Sequence, residues 1–296
     1  MMIRQGLRGV LRLITVACLA AWATSGEAKQ ACDAGAPFRA MTYNIRLDTA
    51  ADGANDWAHR RPLFLSQLAL LRPQVLGLQE VLPGQRRDLD AALPGYLSLG
   101  GGRDDGKAAG EASPLYVDGQ AFAVRGSGMF WLSPTPDRPS LGWDAGYRRV
   151  VTWAHLVSRR GALRLLAVNT HWDNTGQVAR RESAKQLRGW IAANRRKGEH
   201  VLVIGDFNAP LAEASLADMT TGSLRDSRSA SAEPPAGAGF TFNGFDPLAR
   251  SGQTIDHVLV GPGLQVLRHH VLAEQFDGRL ASDHFPVIAD LSRDCR

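Results

Sequence analysis

The chain has little that would make it a membrane protein, or a nucleic-acid binder by composition alone. It offers one candidate membrane segment, the apolar run at residues 13–23, which is too short to span a bilayer comfortably. Neither sign of charge is in large excess: the formal net charge is +5. Residues 1–28 carry three arginines and one glutamate, so the remainder is near +3, a mildly basic balance that does not by itself imply nucleic acid. No internal repeat or second composition regime divides the sequence. Cysteine is scarce, and only Cys32 and Cys295 lie beyond the first 28 residues.

What is present at the N-terminus reads as an export signal. Arg4, Arg8 and Arg12 precede the apolar run, and small residues lead to Gly26-Glu27-Ala28. A basic start, a short apolar centre and a small-residue cut site are the marks of a secretory peptide. The expected division is a signal over 1–28 and a single domain over 29–296, placed in the periplasm or outside the cell. A lipoprotein reading through Cys18 is weaker, because Thr15-Val16-Ala17-Cys18 resembles a lipobox only loosely. Export favours oxidation, and Cys32 and Cys295 flank the first and last predicted strands, so a disulfide joining them is expected.

The full chain is 44% apolar and 21% charged, which makes a folded core the default. Strands are predicted at 38–45, 75–81, 114–118, 121–125, 128–132, 150–158, 163–170, 200–204, 254–260, 264–271 and 284–291. Helices are predicted at 60–71, 83–92 and 177–195. Residues 100–113 read as a loop, and 226–239, rich in Ser, Ala, Pro and Gly, as a mobile surface loop.

Short polar motifs sit at the ends of the apolar runs. They are Met-Thr-Tyr-Asn (Asn44), Leu-Gln-Glu-Val (Glu80), Asn-Thr-His (His171), Gly-Asp-Phe-Asn (Asp206, Asn208), Ile-Asp-His (Asp256) and Ser-Asp-His (Asp283, His284). Carboxylates, amides and imidazoles at several strand ends can converge in one cleft, hold a hard divalent cation on oxygen, and still offer a base and an acid. That combination suits phosphate-ester hydrolysis. Asp206 beside Asn208 can orient a water, and Asp283 beside His284 can fix the imidazole's tautomer. His171 and Asp256 are a possible second imidazole–carboxylate pair.

The order of these motifs resembles the endonuclease/exonuclease/phosphatase superfamily of metal-dependent phosphohydrolases, over about residues 38–291. Trp57 with Arg60-Arg61, Gly-Arg-Asp-Asp-Gly (102–106), Gly-Glu-Ala-Ser-Pro (110–114), Phe-Trp-Leu-Ser-Pro-Thr-Pro (130–136), Gly-Trp-Asp-Ala (142–145) and Arg149 with Thr152-Trp153 resemble an exported bacterial subgroup.

The resemblance implies an α/β fold: a four-layer α/β/β/α sandwich of two mostly antiparallel sheets packed face to face, with helices outside. It implies that Glu80 binds Mg²⁺ or Mn²⁺ with Asn44 and Asp283 beside it. Asp206 would orient or deprotonate water, while Asn208 and His171 hold the phosphate. His284 would stabilise the transition state or move a proton, with Asp256 as partner of His171. Arg103, Arg149 and Trp172 are candidates for substrate contact. The basic stripe Arg181, Lys185, Arg188 and Arg195 on the third helix reads as a solvated face, and Trp131, Trp143 and Trp153 as core.

The expected activity is a metal-dependent phosphoesterase acting as a monomer, with no integral span after signal removal. A nuclease ranks first, because no membrane-docking hairpin of the sphingomyelinase kind is evident. A phosphatase on small phosphorylated sugars or inositols follows closely. A non-catalytic binding module on the same fold is the alternative of another class.

Overall fold

The computed structural model describes residues 35–295. The expected signal segment, the Cys18 site and the Cys32 half of the expected disulfide lie outside them. The first half of the described chain contains β1 (Phe38–Asn44), α1 (Trp57–Leu71), β2 (Val75–Gln79), α2 (Pro83–Ala92), β3 (Tyr96–Leu99), β4 (Leu115–Asp118), β5 (Phe122–Trp131), β6 (Val150–Ser158) and β7 (Arg164–His171). The second half contains α3 (Gln177–Asn194), β8 (His200–Asp206), α4 (Ala214–Thr220), β9 (Arg225–Asp226), α5 (Ser227–Ala230), β10 (Ala236–Gly237), β11 (Asp256–Val260), β12 (Leu264–Val271) and β13 (Val287–Arg293).

The strands form two sheets, ordered β10-β12-β13-β1-β2-β4-β3 and β5-β6-β7-β8-β11-β9. Most neighbours are antiparallel; β1–β2, β7–β8 and β10–β12 are parallel. Side chains alternate faces along a strand, and the apolar residues sort accordingly into three cores. Met41, Tyr43, Leu76 and Leu78 pack outward with Phe64 and Leu68 of α1 and Leu89 of α2. Val168, Val201, Val203 and Leu259 pack outward on the second sheet with Leu187 and Ile191 of α3 and Leu216 of α4. Between the sheets lie Ala40, Val75, Leu165, Ala167, Leu202, Ile204, Val258 and Val260. Three cores separate four layers, which is the expected sandwich.

Local chemistry sets the element ends. The Asp56 side chain accepts from His59 N and caps α1, while Arg72 closes it in the left-handed conformation just before Pro73. Helix α3 buries Arg180, Ala184, Leu187 and Ile191, at helical spacing.

Some expected boundaries move. The strands predicted at 121–125 and 128–132 are one strand, β5, whose register against β6 shifts between Val124 and Ser127. Such a shift lets one strand carry an irregularity without ending. The expected loop at 226–239 contains α5 and β10, which lie against β12, so it is tied to the sheet edge. The last strand begins at Val287, which leaves Asp283 and His284 in the segment before it.

Candidate active site

The same alternation that buries aliphatic side chains between the sheets turns polar at one end of that layer. Along β1 the inward positions run Phe38, Ala40, Thr42, Asn44; along β7, Leu165, Ala167, Asn169, His171; along β8, Leu202, Ile204, Asp206. Strand register then aligns the ends: His171 pairs with Asp206, and Asp206 with Asp256. Neighbours in register share a face at close range, so three strands deliver an imidazole and two carboxylates in one row. Beneath them Gln79 Nε2 donates to Thr42 Oγ1 (3.0 Å) and Asn169 Oδ1 (2.7 Å), and fills the transition from hydrocarbon to site. Gly77 permits this approach of the sheets, since a Cβ there would lie 2.5 Å from Asn169 Oδ1 and 2.7 Å from Ile204 Cδ1.

The cleft encloses about 570 Å³. At its floor Asn44 Nδ2 bridges two carboxylates, donating to Glu80 Oε1 (3.0 Å) and Asp206 Oδ2 (2.9 Å). Its Oδ1 accepts from Arg46 N (3.0 Å), so Asn44 presents nitrogen to the acids and braces them. Glu80 follows β2 at φ 61, a strained region for a residue with a long side chain. That conformation aims its carboxylate into the cleft, where Oε2 accepts from Leu47 N. Asn208, at φ 48, donates from its backbone to Asp206 Oδ1 (2.9 Å). Its Nδ2 donates to Trp172 O (3.0 Å) and lies 3.0 Å from His171 Nε2.

The imidazole pairing differs from expectation. Asp256 Oδ2 sits 2.8 Å from His284 Nδ1, so Asp256 orients His284 and not His171. The sequence neighbour Asp283 is not that partner either; its Oδ1 accepts from Ser282 Oγ (3.3 Å). His284 Nε2 lies 3.9 Å from Asp206 Oδ2, and His171 Nε2 lies 3.6 Å from the same atom. Both rings therefore face one carboxylate from different sides.

These contacts separate the two histidines electrostatically. Burial works against charge on His284, but Asp256, Asp206 and Asp283 outweigh it and hold its pKa well above the ordinary value. Burial, with Arg149 and Arg103 nearby, holds His171 well below and keeps it neutral. Burial, with the repulsion of Asp256, raises Asp206 to about 7. Burial likewise raises Asp283, with Glu80 adding repulsion. One charged and one neutral imidazole beside an acid poised near neutrality is a constellation able to move protons.

The donor set also fits a hard divalent cation. Glu80 and Asp283 line the cleft together, and Glu80 repels the charge on Asp283, a crowding that a cation relieves. Asp206, Asp256 and His284 form a second convergence, with ligating atoms within 4.8 Å of one another. There Asp256 Oδ2 is already engaged with His284 Nδ1 at 2.8 Å. Arg60 of α1 braces the neighbouring segments from behind. Buried, it donates to the carbonyls of Ile45 (2.8 Å), Arg46 (3.1 Å) and Ala281 (2.8 Å), next to the chain carrying Asn44 and Asp283.

Of the three candidates for substrate contact, Arg103 and Arg149 line the cleft. Arg149 is held by Asp173 (3.3 Å) and Asn174 (3.1 Å), and Arg103 by Glu111. Trp172 does not line it. With His171 pointing inward, alternation turns the next residue outward, and Trp172 is fully buried against Phe207. Glu111, Tyr147, Phe242 and Gln253 line the cleft without having been singled out from the sequence. The nearest signal was the Gly-Glu-Ala-Ser-Pro motif containing Glu111. The basic residues of α3 make partly exposed local contacts, such as Lys185 with Glu182 and Arg188 with Asp218 O, away from the cleft.

Residues 41–284 match the Endonuclease/Exonuclease/phosphatase family. An endonuclease/exonuclease/phosphatase family protein from Bacteroides thetaiotaomicron has a similar crystal structure, with 33% identity and TM-score 0.83, over 88% of this chain and 99% of that one. A mannosyl-6-phosphatase of the same species shares 34% identity at TM-score 0.81, over 86% and 99%. A Bacteroides vulgatus family member shares 34% at 0.82, over 88% and 100%. No curated protein matches the sequence.

Proposed function

The chain belongs to the endonuclease/exonuclease/phosphatase family, and from that premise we propose that it is a divalent-metal-dependent phosphatase acting on a small phosphorylated sugar. One observation carries the choice of a small substrate over a nucleic-acid polymer. Every arginine lining the cleft is already paired with a carboxylate: Arg46 with Asp52 (2.9 Å), Arg103 with Glu111 (2.6 Å) and Arg149 with Asp173 (3.3 Å). Binding a nucleic-acid backbone draws on cations free to replace counterions along a track, and these are spent. The cleft volume also falls in the range for small-molecule sites. The mannosyl-6-phosphatase relative supports the sugar class. The ranking of the two phosphoesterase readings therefore changes, with the phosphatase ahead of the nuclease.

In this reading the phosphate lies against Asn208, His171 and His284. When bound at Glu80 and Asp283, Mg²⁺ or Mn²⁺ supplies the positive charge that phosphate oxygens need as negative charge builds on them. Asp206 takes a proton from the attacking water as its oxygen bonds to phosphorus; the phosphorus–oxygen bond to the sugar breaks, the sugar oxygen leaves as a hydroxyl with a proton from solvent, and Asp206 returns its proton to solvent. A base with a pKa near 7 is matched to that task. Charged His284 offers its Nε2–H to a phosphoryl oxygen, oriented through Nδ1 by Asp256. Asn208 and His171, 3.0 Å apart, face the remaining oxygens. Asn44 keeps Glu80 and Asp206 apart at fixed spacing.

Phosphate release from mannose 6-phosphate, glucose 6-phosphate and single-stranded DNA with Mg²⁺ or Mn²⁺ tests this. The expected result is turnover of a hexose phosphate that stops with chelator. Efficient DNA cleavage without hexose-phosphate turnover would restore the nuclease.

A further inference from the structure

The far end of the cleft holds polar and aromatic groups that the phosphate chemistry does not use. Arg103 and Glu111 form a two-pronged pair, with contacts of 2.8 Å and 2.6 Å, on the glycine-rich segment 100–112. That segment is tied across itself by Arg103 N to Glu111 O (2.9 Å) and Asp104 N to Ala109 O (3.0 Å). Trp131 Nε1 fastens it to the second sheet by donating to Arg103 O (2.7 Å). The wall is therefore preformed.

Above this pair lies Tyr147. Its ring centroid is 4.9 Å from the Arg103 guanidinium carbon and 5.6 Å from that of Arg149. Its backbone is pinned by Asp173, which accepts from Tyr147 N and Gly146 N (both 3.2 Å). Yet the residue is 53% exposed. An aromatic ring fixed at its base, braced by two guanidinium groups and open on the cleft side is an unusual use of a large apolar surface in a wet site. Burying such a ring against a ligand is favourable, and its face attracts the weakly positive C–H groups of a sugar. The Arg103–Glu111 pair places donors and acceptors side by side, as adjacent hydroxyls require.

We propose that Tyr147 is the specificity-determining residue of a sugar subsite, with the pyranose ring of the phosphorylated substrate stacked on it and neighbouring hydroxyls held by Arg103 and Glu111. The inference rests on the reading of the cleft as a sugar-phosphate site and adds the group that selects for the ring. A phosphate ester without a ring gains nothing from this end of the cleft.

Two measurements on the full chain test it together. In Mg²⁺, the ratio of kcat/KM for mannose 6-phosphate to that for glycerol 3-phosphate is compared among the wild type, Tyr147→Ala and Tyr147→Phe. The ratio is expected to fall about ten-fold or more in Tyr147→Ala, the scale of a lost aromatic contact with its buried area, through KM rather than kcat. Tyr147→Phe, which keeps the ring, retains the ratio. In chelator, calorimetric titration with mannose 6-phosphate reads binding without turnover, and the same order of variants is expected. An unchanged ratio with equal binding by Tyr147→Ala overturns the subsite, as does absence of mannose 6-phosphate binding to the wild type. Binding that depends on Tyr147 but no turnover of either ester would instead overturn the phosphatase reading and leave the subsite standing.

Discussion

The two ends of the layer between the sheets are built by the same strands at the same parity, yet they do opposite things. At one end Phe38, Val75, Leu165, Leu202 and Val260 are packed hydrocarbon. At the other, Asn44, Asn169, His171, Asp206 and Asp256 are buried polar groups. The apolar end gains stability from area removed from water. The polar end keeps carboxylates away from solvent, raises their proton affinity and holds Glu80 in a strained backbone. Stability and chemistry are thus divided along each strand, not between separate parts of the molecule.

The sharpest way to break this comparison is to mutate one strand, β8, at both ends. Asp206→Ala at the site end should lower turnover by a factor of about 10²–10⁴ or more, and His284→Ala should do likewise. The proton affinity of Asp206 gives the accompanying sign for stability. Its folded pKa of about 7 lies above the ordinary 3.8, so its contribution favours the fold at low pH and declines as pH rises between those values. Asp206→Asn, measured in chelator at pH 8, should therefore melt no lower than the parent. Lower melting would place Asp206 among the stabilising groups and erase the contrast.

Leu202→Ala at the other end should do the reverse. The side chain is fully buried, and its loss should cost about 2–5 kcal/mol in denaturant unfolding. Turnover per folded molecule should be unchanged. A Leu202→Ala variant that is stable but inactive would show the two ends to be coupled.

A smaller effect sharpens the account of the histidines. Asp256 raises the pKa of His284, so Asp256→Asn should move the alkaline fall in the pH–rate profile to lower pH by about one unit or more. The acid limb, where Asp206 loses its proton, should also move to lower pH, because the charge on Asp256 helps hold that proton. If the alkaline limb does not move, the charged form of His284 is not needed for turnover.

Much of this contrast is legible in the sequence, because it follows strand alternation. The apolar runs ending in Asn44, Glu80, His171 and Asp206 announce both the buried strands and the polar cluster at their ends. Trp172 shows the rule applied too loosely: if His171 faces the cleft, the next side chain on an extended chain faces away. The partner of Asp256 was not readable, because it depends on how β11 registers against β8 and on where the turn before β13 carries His284. Neighbouring residue numbers suggested Asp283 for His284, whereas space gave Asp256. Tyr147 and Glu111 escaped for another reason. They sit on irregular segments, whose side-chain directions have no period to follow and depend on tertiary anchors such as Asp173 and Trp131.

The outer helices obey the same geometry. The arginines and lysine of α3 form a visible stripe, but a helix on the outside of the sandwich presents such a stripe to solvent. Arg180, on the inner side of that helix, is the one drawn into a buried contact, with Glu213 at 2.7 Å. Charge in the sequence therefore says less about the site than position on the strand does.

The most direct test of the central claim is a crystal of the protein grown with Mn²⁺ and inorganic phosphate, examined by anomalous scattering. The account predicts a manganese peak in coordination distance of Glu80 and Asp283, with phosphate density bounded by His171, Asn208 and His284. Manganese bound elsewhere, or phosphate seated away from Asp206, would contradict it.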